Sequence, residues 1–217
     1  MDGAILIALA GLLGLGFGYA SDRLAARWPA HEDGSIRARD WRTPLVVIVG
    51  GLAFAFTVFR FGANPVQLGV VFPYVAVLVV LFAIDLDQRL LPNLLTYPLV
   101  VYALAIYAVG ASPFVAGIED LAWAAAAAAI VVVSLYLLAI PFGSGAIGEG
   151  DLKLLVSVGL FAGAANLFYT LIVGAFGAGI VVAILVFIRR LTLKSYFPYG
   201  PFLIGGTLWS ILVLTPP

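Results

Sequence analysis

The chain alternates long apolar runs with short polar breaks, and the positions of the breaks predict helices that cross a bilayer. Apolar runs occupy roughly 3–20, 44–62, 67–84, 92–110, 120–141, 151–163, 166–188 and 202–215. They are continuous rather than alternating, which suits helices and not the strands of a barrel. A full span needs about 20 residues for a hydrocarbon core near 30 Å; the run 151–163 falls short and is expected to be tilted, shallow or re-entrant. Gly11, Gly14, Gly16 and Gly18 in the first run, and the alanines 124–129 in the fifth, suit close helix approach. Pro44 suits the start of the second helix. Asp2, rather than a Lys or Arg, precedes the first run, so a retained helix is expected there and not a signal peptide. The expected fold is all-α, a polytopic membrane helical bundle of about eight transmembrane segments. It is read as one membrane-embedded domain over 1–217.

The polar breaks orient the bundle. The longest, 21–43, contains Arg23, Arg27, Arg37, Arg39 and Arg42 beside Asp22, Glu32, Asp33 and Asp40, and is read as a short cytoplasmic loop that sets topology. With the N-terminus outside, 21–43, 85–92, 142–153 and 189–201 face the cytoplasm and hold every Lys and Arg except Arg60. The reverse orientation violates the positive-inside rule. A multi-pass protein of the inner (plasma) membrane is expected, in contact with the lipid bilayer. The sequence carries no signal of its oligomeric state.

Composition narrows the chemistry. The chain is 64% hydrophobic and 10% charged, whereas soluble domains are about a quarter charged. Net charge is zero, which gives no basic footprint for nucleic acid. There is no cysteine, hence no disulfide and no cysteine-based zinc site. The sole histidine, His31, lies in the polar loop and makes no metal site alone. No metal and no cofactor are expected.

Two acidic stretches interrupt this apolar background at the same face. One is Ile84-Asp85-Leu86-Asp87-Gln88-Arg89-Leu90-Leu91-Pro92-Asn93; the other is Gly148-Glu149-Gly150-Asp151. A carboxylate at the centre of a span costs about 2.5–3.5 kcal/mol on insertion scales, and less near an interface. Interfacial capping is one reading: Asp151 at a helix start, and Asp87 at a turn or paired with Arg89. The other is a shared hydrolytic site. The glycines around Glu149 permit close approach of another segment, and Lys153 either supports the site or snorkels to the interface. Two adjacent carboxyls can share a proton, one acting as base on water and the other as acid on the scissile amide. If 84–88 is helical, Asp85 and Asp87 project about 200° apart, so only one faces the glycine loop; spacing does not choose between them.

The run Asp85 to Thr96 resembles the first signature of the type IV prepilin peptidases, in which Pro follows an Asp by seven residues and Asn or Asp comes next. Gly148-Glu149-Gly150-Asp151-Leu152-Lys153 resembles their second, the GxGD motif. Pro198-Tyr199-Gly200-Pro201-Phe202-Leu203 is similar to the family's segment before the last span, and Gly18, Asp22, Arg27 and Pro29 to its opening pattern. The resemblance implies catalytic Asp85 and Asp151, with Asp87, Pro92, Asn93, Gly148, Gly150 and Lys153 in support. It implies a membrane aspartic endopeptidase that cuts the short basic leader from a prepilin or pseudopilin precursor at the cytoplasmic face. Members that also N-methylate the product carry two Cys-x-x-Cys zinc pairs in the first cytoplasmic loop. Residues 21–43 have none, so a peptidase-only form is expected. The competing readings are another GxGD intramembrane protease, of the presenilin or signal-peptide-peptidase kind, and a non-enzymatic transporter using the aspartates as an ion path.

Overall fold

A computed structural model describes residues 3–30, 34–142, 148–188 and 199–214. Seven α-helices make up the described chain: α1 (Gly3–Ala25), α2 (Arg42–Phe61), α3 (Pro65–Gln88), α4 (Asn93–Ala108), α5 (Ile118–Ala139), α6 (Glu149–Phe187) and α7 (Gly200–Trp209). A 3-10 turn (Ile140–Phe142) follows α5, and a π-helical turn (Ser210–Leu214) extends α7. Five helices are long and apolar enough to cross a membrane: α1, α2, α3, α5 and α6; α4 and the segment Gly200–Leu214 are apolar but shorter. The chain is thus a multi-pass helical protein. The eight-segment expectation counts the two shorter helices and divides α6.

The division of α6 has a physical basis. Gly163 leaves the helical region, at φ 85° and ψ 169°, where a residue with a Cβ is strained. A Cβ added at Gly159 would lie 3.3 Å from Leu167 Cδ2. Eight residues of straight helix span about 12 Å, so the chain folds back here. The halves of α6 correspond to the sixth and seventh apolar runs.

Local chemistry sets the other boundaries. Asn64 caps α3 by accepting from the backbone N–H of Val66 (3.1 Å) and Gln67 (3.2 Å), with Pro65 in the first turn. At its other end α3 runs four residues past the expected 84, so Asp85 and Asp87 are both helical. Arg89, in the left-handed region at φ 56°, ends it. Pro92, at ψ 135°, precedes α4 and lies outside it. The helix α1 also outruns its apolar stretch, so Asp22 and Arg23 are helical rather than part of a loop. Pro44 sits in the first turn of α2, two residues after its start.

The buried centre of the bundle is α3, packed by α1, α2, α4 and α7. Tyr74, fully buried, stacks on Phe161 with ring centroids 3.8 Å apart, and its hydroxyl meets Ser157 Oγ at 2.9 Å. The expected small-residue packing is present. A Cβ on Gly14 would stand 2.3 Å from the Gly50 carbonyl oxygen, and one on Gly18 2.6 Å from that of Val46. Gly159 meets Ala124 and Ala128 of the alanine run in the same manner. Gly16, in contrast, faces open space. His31, residues 143–147 of the glycine loop, Pro198 and the cations Arg189, Arg190 and Lys194 lie outside the described residues.

The α1–α2 seam yields a paired test. Gly14→Ala is expected to cost about 1–3 kcal/mol of stability through overpacking. Gly16→Ala is expected to stay within about 0.5 kcal/mol of the parent. Thermal unfolding of the two variants in detergent checks both.

Candidate active site

Four helix ends meet at one face of the bundle. The C-terminus of α3 supplies Asp85, the N-terminus of α6 supplies Asp151, and the N-termini of α4 and α7 complete the surround. Between them lies an open pocket of about 380 Å³. Asp85, Arg89, Glu149, Asp151, Lys153 and Tyr199 supply its polar side chains together with Asn93.

Each half of the pocket depends on a glycine at a contact too tight for a side chain. A Cβ on Gly200 would lie 2.2 Å from Asp85 Oδ2, so α7 enters directly against that carboxylate. A Cβ on Gly150 would lie 2.6 Å from Leu91 Cβ, and this bareness lets the start of α6 press on the turn that follows α3. Gly148 caps α6; a Cβ there would stand 3.2 Å from Asp151 Oδ2. The backbone N–H of Asp151 donates to the Gly148 carbonyl at 3.1 Å.

The two candidate carboxylates share the pocket and lie close enough for the charge of one to act on the other. Asp85 is 5% exposed, and its Oδ2 has no hydrogen-bond partner among the described residues. An unpaired buried carboxylate oxygen is costly and marks a place where a water or a substrate group is wanted. Tyr199 projects into the same space; burial and the nearby Asp151 charge push its phenol above its ordinary value, so it stays protonated and can donate.

Helical phase separates Asp85 from Asp87. Asp85 faces the pocket. Asp87, with a side chain 2% exposed, points to another side and meets Arg37 Nε at 2.7 Å and Arg42 Nη1 at 2.8 Å. Arg89, one partner expected for Asp87, lines the pocket with Asp85. Lys153 donates to Asn93 Oδ1 at 2.9 Å and pairs with Glu149 at 3.2 Å, while its ammonium lies 5.1 Å from the Tyr97 ring centroid. It therefore ties the α4 start to the α6 start. Pro92, Gly148 and Gly150 line the pocket as well. Gly200 and Tyr199, which reading the sequence did not single out as site residues, line the pocket too, Gly200 directly against the Asp85 carboxylate. Among the described residues no group of three or more His, Asp or Glu side chains converges to hold a metal ion.

A bundle of apolar helices with two carboxylates brought from distant helix ends to one polar pocket defines a membrane-embedded carboxylate-site protein. The profile of the type IV leader peptidase family matches residues 72–185, more than half of the chain and both carboxylates, and the chain belongs to that family. Curated relatives agree. The prepilin leader peptidase/N-methyltransferase of Stutzerimonas stutzeri is 28% identical over 163 residues, covering 75% of this chain and 55% of that protein. That of Burkholderia pseudomallei (strain K96243) is 29% identical over 175 residues, 81% of this chain and 56% of that protein. That of Neisseria gonorrhoeae is 29% identical over 164 residues, 74% and 54% respectively. The chain spans about half the length of these curated relatives. No solved structure matches it.

Gly200→Ala tests the tightest contact. The added methyl, 2.2 Å from Asp85 Oδ2 as the backbone stands, displaces that carboxylate, and the rate at which a carbodiimide labels Asp85 is expected to change while that of Asp151 does not. Mass spectrometry of the labelled full chain, compared at equal amounts of folded protein, measures it.

Proposed function

We propose that the chain is a membrane aspartic endopeptidase that removes the short N-terminal leader of prepilin-like precursors, using water activated between Asp85 and Asp151. The observation that carries this reading is the convergence of these two side chains on one pocket, with Asp87 turned elsewhere. The names of the curated relatives support the substrate class.

The chemistry follows from the pair. Two carboxyls at close range in a poorly solvated site favour holding a single proton between them. The ionised member takes a proton from water as the water adds to the scissile carbonyl carbon. The protonated member donates toward the carbonyl oxygen. As the tetrahedral intermediate collapses, the leaving amine takes a proton from the carboxyl that first accepted one. The Tyr199 phenol is placed to donate toward the same region.

Charge distribution supports a cytoplasmic pocket. Arg42 begins α2 on the pocket side and Arg60 ends it on the other, some 27 Å away for a helix rising about 1.5 Å per residue. Arg23, Arg37, Arg39, Arg89 and Lys153 sit at the Arg42 end, which the positive-inside rule assigns to the cytoplasm, with the N-terminus outside. A leader carried on an apolar helix then meets the pocket at the membrane edge. Cleavage without N-methylation is the reading for residues 21–43, which contain no cysteine.

Asp85→Asn and Asp151→Asn are each expected to lower cleavage by about 10²–10⁴-fold, the usual contribution of general acid–base groups. Leader loss on a gel after co-expression with a pilin-like precursor measures the rate. Sequencing the product should place the cut at the cytoplasmic edge of the substrate's apolar helix. Near-normal cleavage by either variant contradicts the assignment, and a cut inside the apolar helix favours a different GxGD protease.

A further inference from the structure

A buried cluster of opposite charges lies beside the pocket, and the proposed chemistry does not use it. Arg37, whose side chain is 10% exposed, is its centre. Its guanidinium donates to Asp22 Oδ1 and, at 2.6 Å through Nη1, to Asp40 Oδ1, while its Nε lies 2.7 Å from Asp87 Oδ1 as an ion pair outside hydrogen-bond alignment. Asp22, 1% exposed, also accepts from Arg23 and from the Thr43 hydroxyl, the latter at 2.8 Å. Arg42 reaches Asp87 at 2.8 Å. The Gln88 side-chain amide donates to the carbonyls of Ala25 (3.1 Å) and Pro29 (2.7 Å). The end of α1, the connecting segment and the start of α2 are all tied to residues 87 and 88, the last two of α3.

Such pairs are poor sources of net stability, because desolvation offsets much of the attraction; their better-attested use is to fix one arrangement over others. Here the arrangement that matters is the rotation of the last turn of α3. Asp85 sits two residues before Asp87, and its own Oδ2 has no hydrogen-bond partner among the described residues. Its aim then rests on packing, from Gly200 of α7 on one side, and on the rotation of the helix that carries it. A planar guanidinium that binds carboxylates from three segments at once is suited to that task, and an ammonium is not.

We propose that Arg37 is a positioning residue which, through Asp87, sets the rotation of the α3 end and so aims Asp85 at Asp151. This deepens the peptidase reading and rests on it for its kinetic consequence alone. The segment between α1 and α2 is then part of the cleavage machinery and not only a topology signal.

The test uses the full chain in detergent or nanodiscs, with Arg37→Ala, Arg37→Lys and Asp87→Asn. Two readouts are taken: kcat and KM on a prepilin-like precursor, and the rates at which a carbodiimide modifies Asp85 and Asp151, followed by mass spectrometry. For Arg37→Ala the expected result is a kcat lowered by about 100-fold, as for a misplaced reacting group, with KM within about twofold. The Asp85 labelling rate changes while that of Asp151 does not. Arg37→Lys, with the charge but not the fork, keeps most of the defect, and Asp87→Asn reproduces it. Unchanged Asp85 labelling overturns the proposal, as does full rescue by lysine. So does a parallel change at both aspartates with a lowered melting temperature, which marks a general structural role. If Arg37→Ala does not fold, the near-isosteric Asp87→Asn carries the same comparison. If the parent chain cleaves nothing, the peptidase reading fails, while the labelling comparison still decides the positioning role.

Discussion

Two carboxylates held near each other at the edge of an apolar bundle are the constraint on which the rest of this structure turns. Each is costly to bury, and their mutual repulsion adds to that cost. The bundle tolerates them because its opposing helix ends cannot relax apart. Gly200 brings α7 against one carboxylate, and Gly150 locks the base of the other onto the turn after α3. Lys153 and Asn93 bridge the same gap from the rim. Low solvation in turn strengthens every electrostatic interaction made in the pocket.

The bundle divides the work between its two ends. At the far end, Gly163 reverses the chain inside α6, beside the stacked rings of Tyr74 and Phe161. This reversal carries the chain back so that α7 can pack along the second half of α6 and start at the pocket. At the near end, charges replace apolar packing. Ion pairs of Arg37 and Arg42 join α1, the start of α2 and the end of α3 there.

Much of the fold was legible because apolar runs without alternation admit only helices in a bilayer. Boundaries were less so. Asp22 and Asp87 lie inside helices because their charges are paired within the fold, which a hydropathy pattern does not register. The carboxylates Asp85 and Asp151 stood out as acids in apolar surroundings, each with a motif around it. The choice between Asp85 and Asp87 did not follow from spacing, since helix phase relative to a neighbour is set by packing. Gly200 carried a signal only as part of a short Pro-Tyr-Gly-Pro run; its contact with Asp85 joins residues more than a hundred positions apart. Arg37 read as one of several loop cations, and nothing local to it points to Asp87, fifty residues on.

The central claim, that Asp85 and not Asp87 faces Asp151, is open to one direct measurement. The chain has no cysteine, so cysteines introduced in pairs report without background. In membranes, the Asp85→Cys/Asp151→Cys pair is expected to cross-link rapidly with a short bifunctional thiol reagent. The Asp87→Cys/Asp151→Cys pair is expected to remain uncross-linked under the same conditions. Efficient linking of 87 to 151, with none between 85 and 151, contradicts the account.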